Sequence, residues 1–114
     1  MHLLFLFNLA CILTHELDAI QQEEWRFFNM PFQLEDDTAY RLFTILHVPL
    51  FIAIVWALPS QNFQIGFDVF VIAHAIVHWI LRNHRYVNFN NPVSRLLIFA
   101  PVPTAILHII WLAL

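Results

Sequence analysis

The chain has 114 residues, enough for one domain. Hydrophobic residues make up 61% of it and charged residues 11%, and a soluble domain of this length cannot bury so much apolar surface. With a formal net charge of −3 and no lysine, the chain also lacks the basic face that nucleic-acid binding requires, so the composition indicates a membrane protein whose main partner is the lipid bilayer.

Four apolar segments approach the length of about 20 helical residues that crosses a bilayer. The first has no basic start and no small-residue cleavage site, so it predicts a retained transmembrane helix rather than a signal peptide. Pro49, Pro101 and Pro103 lie inside spans and are expected to kink them. Residues 26–38 predict an amphipathic or irregular segment at the membrane interface. The predicted fold is an all-α membrane protein, a single four-helix transmembrane bundle over residues 1–114, with spans at 3–20, 40–58, 65–81 and 93–114.

The arginines are distributed unevenly between the two sides of this bundle. With four spans, both termini share one side, and the connections at residues 21–39 and 82–92 share the other. All five arginines lie in or beside those two connections, and basic connections stay in the cytoplasm. We therefore predict that both termini are extracytoplasmic. The arginines are Arg26, Arg41, Arg82, Arg85 and Arg95.

Histidines on three spans are predicted to lie at matched depth in the cytoplasmic half of the membrane. By the helical rise of about 1.5 Å per residue, His15, His47 and His74 each lie roughly 10–12 Å inside the cytoplasmic end of their span. His78 follows His74 by one helical turn, so both imidazoles of this pair can reach one ion from the same helix face. The spacing therefore brings four histidines from three helices into one layer.

The stretch "THELDAIQQEEW", residues 14–25, adds acids to this layer. The first helix is expected to run unbroken past Ile20 to about Trp25. Asp18 lies three residues after His15 and shares its face toward the bundle axis. A charged acid near the bilayer centre costs about 2.5–3.5 kcal/mol on insertion scales, so it needs a metal or a histidinium as partner. Simple interhelical hydrogen bonding is the alternative. We predict a divalent-metal site for zinc or iron. The expected ligands are His15, Asp18, His47, His74 and His78, and the candidate general bases are Glu16, Glu23 and Glu24.

A second polar set is predicted in the other half of the membrane. Asn8 lies in the first span, Asp68 near the start of the third and His108 near the end of the fourth. Because an unpaired Asp68 would be costly in lipid, we expect Asp68 and His108 to be within hydrogen-bond reach, with Asn8 close by.

No complete enzyme motif accompanies these residues. "HELDA" begins like the zinc-protease motif HExxH, but Ala19 stands where the second histidine ligand would be. No Glu-x-x-His occurs, so a ferritin-like di-iron site is not predicted. "HAIVH" matches one box of the histidine-rich membrane desaturases and hydroxylases, whose further boxes are missing. Motifs alone therefore assign no reaction.

The order of "THELDA", "EW", "HVPL", a histidine in the third span and "F..P.S" resembles a family of small uncharacterised bacterial four-helix membrane proteins with a His-Glu-(Ile/Leu)-Asp-Ala signature. This resemblance implies a bacterial cytoplasmic-membrane location, but the family is of unknown function and implies no activity. A more distant similarity is to HXXEE-type membrane domains, although no pair of acids stands three and four residues after His15. The residues that match the family are His15, Glu16, Asp18, Ala19, Glu24, Trp25, Pro49, His78, Phe89, Pro92 and Ser94.

Two classes of function fit these features. The first is a metal-dependent membrane enzyme, a hydrolase or an oxidoreductase, that acts on a lipid-like or small substrate with a glutamate as general base. The second is a non-enzymatic protein that binds haem or quinone, or that serves as an accessory subunit of a larger membrane complex. Self-association into a homo-oligomer is compatible with either.

Overall fold

The computed structural model describes residues 1–114 and contains helices without any strand. Four helical stretches are long and apolar enough to cross a membrane, which agrees with the predicted all-α fold with four spans. Their bounds are Leu3–Gln21, Asp36–Ala57, Gln61–Ile80 and Pro92–Ala113. The helices are α1 (Leu3–Gln21), α2 (Trp25–Asn29), α3 (Asp36–Ala57), α4 (Gln61–Ile80), α5 (Pro92–Phe99) and α6 (Pro101–Ala113).

Side chains that accept hydrogen bonds from free backbone N–H groups mark three helix starts. His2 Nδ1 accepts from the N–H of Leu4 at the start of α1, at 3.1 Å. Ser60 caps α4 in the same way, and Asn91 caps α5 immediately before Pro92 at the first helical position. Proline suits that position because it has no N–H to satisfy and its φ is already helical.

Helix α1 ends at Gln21, so the prediction that it continues unbroken to about Trp25 is wrong. The N–H of Glu24 donates to the carbonyl of Ala19, and the N–H of Glu23 donates to that of Ile20. These are the two bonds of a Schellman C-cap, and they require a left-handed residue, here Glu23 with φ 56°. The chain therefore folds back at Glu23, and the side chain of Glu24 returns toward His15 of α1.

The fourth predicted span is divided into α5 and α6 at Ala100. Pro101 follows at once and cannot donate a backbone hydrogen bond, and its ring crowds the carbonyl one turn earlier. The helical hydrogen-bond pattern is therefore interrupted at this proline, while Ala100 keeps a helical backbone with φ −60° and ψ −36°. Helix α3, in contrast, continues through Pro49 without a break.

The core lies between α1, α4 and the α5–α6 pair, while α3 packs at one side, mainly along α2. Only 6% of the α3 span is buried, against 33% of the α1 span. Two apolar clusters fill the core, one toward each end of the bundle. The first contains Phe5, Leu9, Ile12, Phe67, Val71 and Ala105, and the second contains Ala19, Ala75, Val87, Phe89 and Ile98.

A buried polar group, here called the Asp68 cluster, connects α1, α4 and α6. It consists of Asn8, Asp68, Thr104 and His108. Asp68 Oδ2 lies 2.5 Å from His108 Nδ1, and its Oδ1 accepts from Asn8 Nδ2 at 2.9 Å. Thr104 Oγ1 donates to Asn8 Oδ1. Asn8, Asp68 and His108 are fully buried, and the expected contact between Asp68 and His108 is confirmed.

We expect Asp68→Ala to lower the free energy of unfolding by about 3–5 kcal/mol, because it leaves His108 and Asn8 buried without their shared partner. The measurement is reversible unfolding of the purified protein in detergent. Asp37→Ala is the control, since Asp37 pairs with Arg41 at the surface and should contribute within about 1 kcal/mol. Equal losses in the two variants would contradict a structural role for the Asp68 cluster.

Candidate metal centre

His15 is fully buried on α1, and neither of its ring nitrogens has a hydrogen-bond partner in the chain. A neutral imidazole carries one donor and one acceptor, and leaving either unpaired in a buried position costs about 1–3 kcal/mol. Chains normally avoid such a cost, so an unpaired buried group has to be explained. His15 therefore has a ring nitrogen that is free to bind a ligand from outside the chain.

Two histidines of α4 face His15. His74 and His78 are one turn apart, and one nitrogen from each of the three rings lies within 4.8 Å of the others. His74 Nδ1 is also buried without a partner. Two nitrogens bound to one tetrahedral zinc at 2.0–2.1 Å lie about 3.4 Å apart, so side-chain shifts of about 1 Å would bring the three onto one ion.

The carboxylate of Glu24 lies beside two of these rings. Its Oε2 is 3.8 Å from His15 Nε2, and its Oε1 is 4.0 Å from His78 Nε2. Burial, with the neighbouring Glu16 carboxylate as a smaller contribution, raises the pKa of Glu24 to about 7. Glu24 can therefore hold or release a proton near neutral pH. We call His15, Glu24, His74 and His78 the His15 cluster.

Aromatic rings pack against the His15 cluster. Phe89, from the connection between α4 and α5, packs against His15 and His78 with ring centroids 5.1 and 4.9 Å apart. Phe70 packs against His74 on the other side. Charges interact more strongly in such apolar surroundings than in water. Phe89 has no predicted role beyond its match to the family, because residue spacing does not show which loop residue packs against the histidines.

Asp18, an expected ligand, is not among the residues whose ligand atoms converge. Its Oδ2 accepts a hydrogen bond from Ser94 Oγ at 2.5 Å, and its Oδ1 accepts a longer one from Gln22. Three residues along a helix correspond to a rotation of about 60° from the starting face, and in this bundle that rotation directs Asp18 toward α5 instead of α4. Asp18 therefore connects α1 to the start of α5.

His47, also an expected ligand, has partners for both of its ring nitrogens. Nε2 lies 2.5 Å from Glu16 Oε2, and Nδ1 lies 2.7 Å from the carbonyl oxygen of Phe43. Because α3 lies outside the α1–α4–α6 core, the ring meets Glu16 on the outer side of α1. The structure thus places His47 and Glu16 in an interhelical contact next to the His15 cluster.

Of the three expected general bases, the structure brings Glu24 to His15 and His78, and it pairs Glu16 with His47. Glu23 is exposed and forms an ion pair with Arg26 at 2.7 Å. Arg26 also pairs with Asp36 at the start of α3. The sequence-predicted residues that do come together are thus His15, His74, His78 and Glu24.

No curated protein and no solved structure matches this chain. The sequence profile of a family of unknown function matches residues 1–114, the whole chain. This agrees with the resemblance to an uncharacterised family that the sequence motifs carry. The chain belongs to the family of unknown function DUF6713.

Proposed function

We propose that this chain is an integral membrane metalloprotein in which the His15 cluster holds one divalent cation. The observation that carries the proposal is that His15 is fully buried with both ring nitrogens unpaired and two further imidazoles within 4.8 Å. Histidines that only join helices form at least one hydrogen bond, as His47 and His108 do, whereas His15 forms none. One cation can bind a nitrogen from each of the three rings at once, and the second nitrogen of each ring then carries the N–H.

The donor set indicates the kind of ion and chemistry. Three imidazoles and one carboxylate, without a thiolate, suit zinc or iron(II). A zinc ion in such a site supplies an activated water for hydrolysis, and we propose a hydrolytic centre. Glu24 lies where it can either complete the ligand set or accept the proton of that water. Haem is disfavoured because the three rings pack directly on one another, with centroids 4.4–5.2 Å apart, and leave no space for a porphyrin between them.

We expect the purified wild-type protein to bind about one equivalent of zinc after metal stripping and reloading, and His15→Ala to weaken that binding by about tenfold or more. His47→Ala is the matched control, because His47 lies at a similar depth but bonds to Glu16. The measurement is metal per protein by inductively coupled plasma mass spectrometry, with zinc titration for affinity. His78→Gln, at a less buried position, is the second variant if His15→Ala does not fold.

Equal zinc affinity in wild type and the His15 and His78 variants would contradict the site. So would a loss in His47→Ala as large as that in His15→Ala. Gel filtration and circular dichroism of each variant show whether it is folded.

We further propose that both termini are extracytoplasmic and that the His15 cluster lies in the cytoplasmic half of a bacterial cytoplasmic membrane. The support is the placement of all five arginines in or beside the connections near residues 21–39 and 82–92. Alkaline phosphatase fused after Leu114 should be enzymatically active, because it is active only in the periplasm. Green fluorescent protein fused at the same position should not fluoresce. The opposite pattern would contradict the proposed sidedness.

A further inference from the structure

A groove next to the His15 cluster is not used by the proposed metal site. It lies between the end of α4, the connection that follows and α5, with a volume of about 120 Å³. A groove of this size can hold one small oxyanion group, such as a phosphate or a carboxylate. The residues that matter for its chemistry are His78, Trp79, Arg82, Phe89, Arg95 and Phe99.

The groove carries two positive charges that no carboxylate neutralises. Arg26 and Arg41 both form ion pairs with acids, whereas Arg82 and Arg95 form none. Residues 81–95 contain no acid at all. Guanidinium groups are well matched to oxyanions, since they offer several N–H donors in one plane.

Arg82 is held in place without using up its donors. One guanidinium nitrogen donates to the carbonyl oxygen of Trp79 at 2.6 Å, and the guanidinium carbon lies 4.1 Å from the centre of the Trp79 ring. Asn90 donates to the carbonyl of Arg82 and lines the same groove. The fixed guanidinium can therefore bind an oxyanion with little further loss of side-chain freedom.

The remaining wall of the groove is apolar and lies at the end of the α4 span. Trp79 and Phe99 pack edge to face with centroids 6.3 Å apart, and Trp79 remains 56% exposed. Trp at the end of a transmembrane helix occupies the boundary between head groups and hydrocarbon. A charged end beside an apolar wall at this depth matches a molecule that has an anionic head and a hydrocarbon chain.

We propose that this groove binds the anionic head group of a membrane amphiphile between Arg82 and Arg95, with the first part of its hydrocarbon chain against Trp79 and Phe99. His78 lines the groove and also belongs to the His15 cluster, so the bound head group lies beside the metal centre. The binding site stands on its own geometry; only the role of this amphiphile as the substrate rests on the proposed function.

The test is binding to purified protein in neutral detergent, with three probes: dihexanoyl phosphatidic acid, dihexanoyl phosphatidylcholine and inorganic phosphate. We expect phosphatidic acid to bind about tenfold or more tightly than either of the others, because only it has both the exposed anionic head and the chains. Arg82→Gln/Arg95→Gln should weaken phosphatidic acid binding by about tenfold or more. Arg95→Gln alone, at an exposed position, is the variant to use if the double variant does not fold.

Arg85→Gln is the matched control, because Arg85 also lacks a carboxylate partner but lies outside the groove, against Tyr86. The affinity of Arg85→Gln for phosphatidic acid should remain within about twofold of that of the wild type. An equal loss in Arg85→Gln would overturn the proposal in favour of general surface charge. Phosphate binding as tight as that of phosphatidic acid, or no preference over phosphatidylcholine, would overturn it as well.

Failure of this proposal can be distinguished from failure of the metal site. His15→Ala should lose zinc and keep phosphatidic acid binding, and Arg82→Gln/Arg95→Gln should lose phosphatidic acid and keep zinc. If the wild-type protein binds phosphatidic acid but no zinc, the groove proposal holds and the proposed function is contradicted. If the wild-type protein binds zinc but shows no preference for phosphatidic acid, only the groove proposal is contradicted.

Discussion

The cost of an unpaired polar group in hydrocarbon constrains every polar side chain of this bundle. A polar group at membrane depth must face the interior and find a partner there. The Asp68 cluster meets this requirement almost entirely from within the chain, with only His108 Nε2 lacking a partner. In the His15 cluster, both nitrogens of His15 and one of His74 lack partners. The same core thus contains one polar group that is nearly fully hydrogen-bonded and one whose unpaired nitrogens can bind a ligand from outside the chain.

The left-handed turn at Glu23 is what brings a carboxylate to the histidines. In an uninterrupted helix, nine residues correspond to about 13 Å along the axis, so Glu24 would lie well beyond His15. The turn returns the chain instead, and the two side chains approach to 3.8 Å. A non-glycine residue in this conformation costs roughly 1–2 kcal/mol. That cost is consistent with a turn that is retained for the geometry of the site.

Features that depend on local periodicity could be predicted from the sequence, and features that depend on helix placement could not. Depth follows from the helical rise, so the meeting of His15 with His74 and His78, and that of Asp68 with His108, were both predictable. Where a side chain lies around the bundle depends on how the helices are arranged. For this reason His47, whose helix lies outside the core, meets Glu16, and Asp18 meets Ser94. The turn at Glu23 left no sequence signal, because glycine is the usual residue there.

The ligand set of the His15 cluster is the central claim, and X-ray absorption spectroscopy at the metal edge of zinc-loaded protein tests it most directly. We predict a first shell of three imidazole nitrogens at about 2.0–2.1 Å and one oxygen at about 2.0–2.2 Å, with no sulfur. In the Glu24→Gln variant, the three imidazole nitrogens should remain in the first shell of the metal. A sulfur at about 2.3 Å, or a shell with fewer than three imidazoles, would contradict the account, because the ligands would then not be His15, His74, His78 and one oxygen.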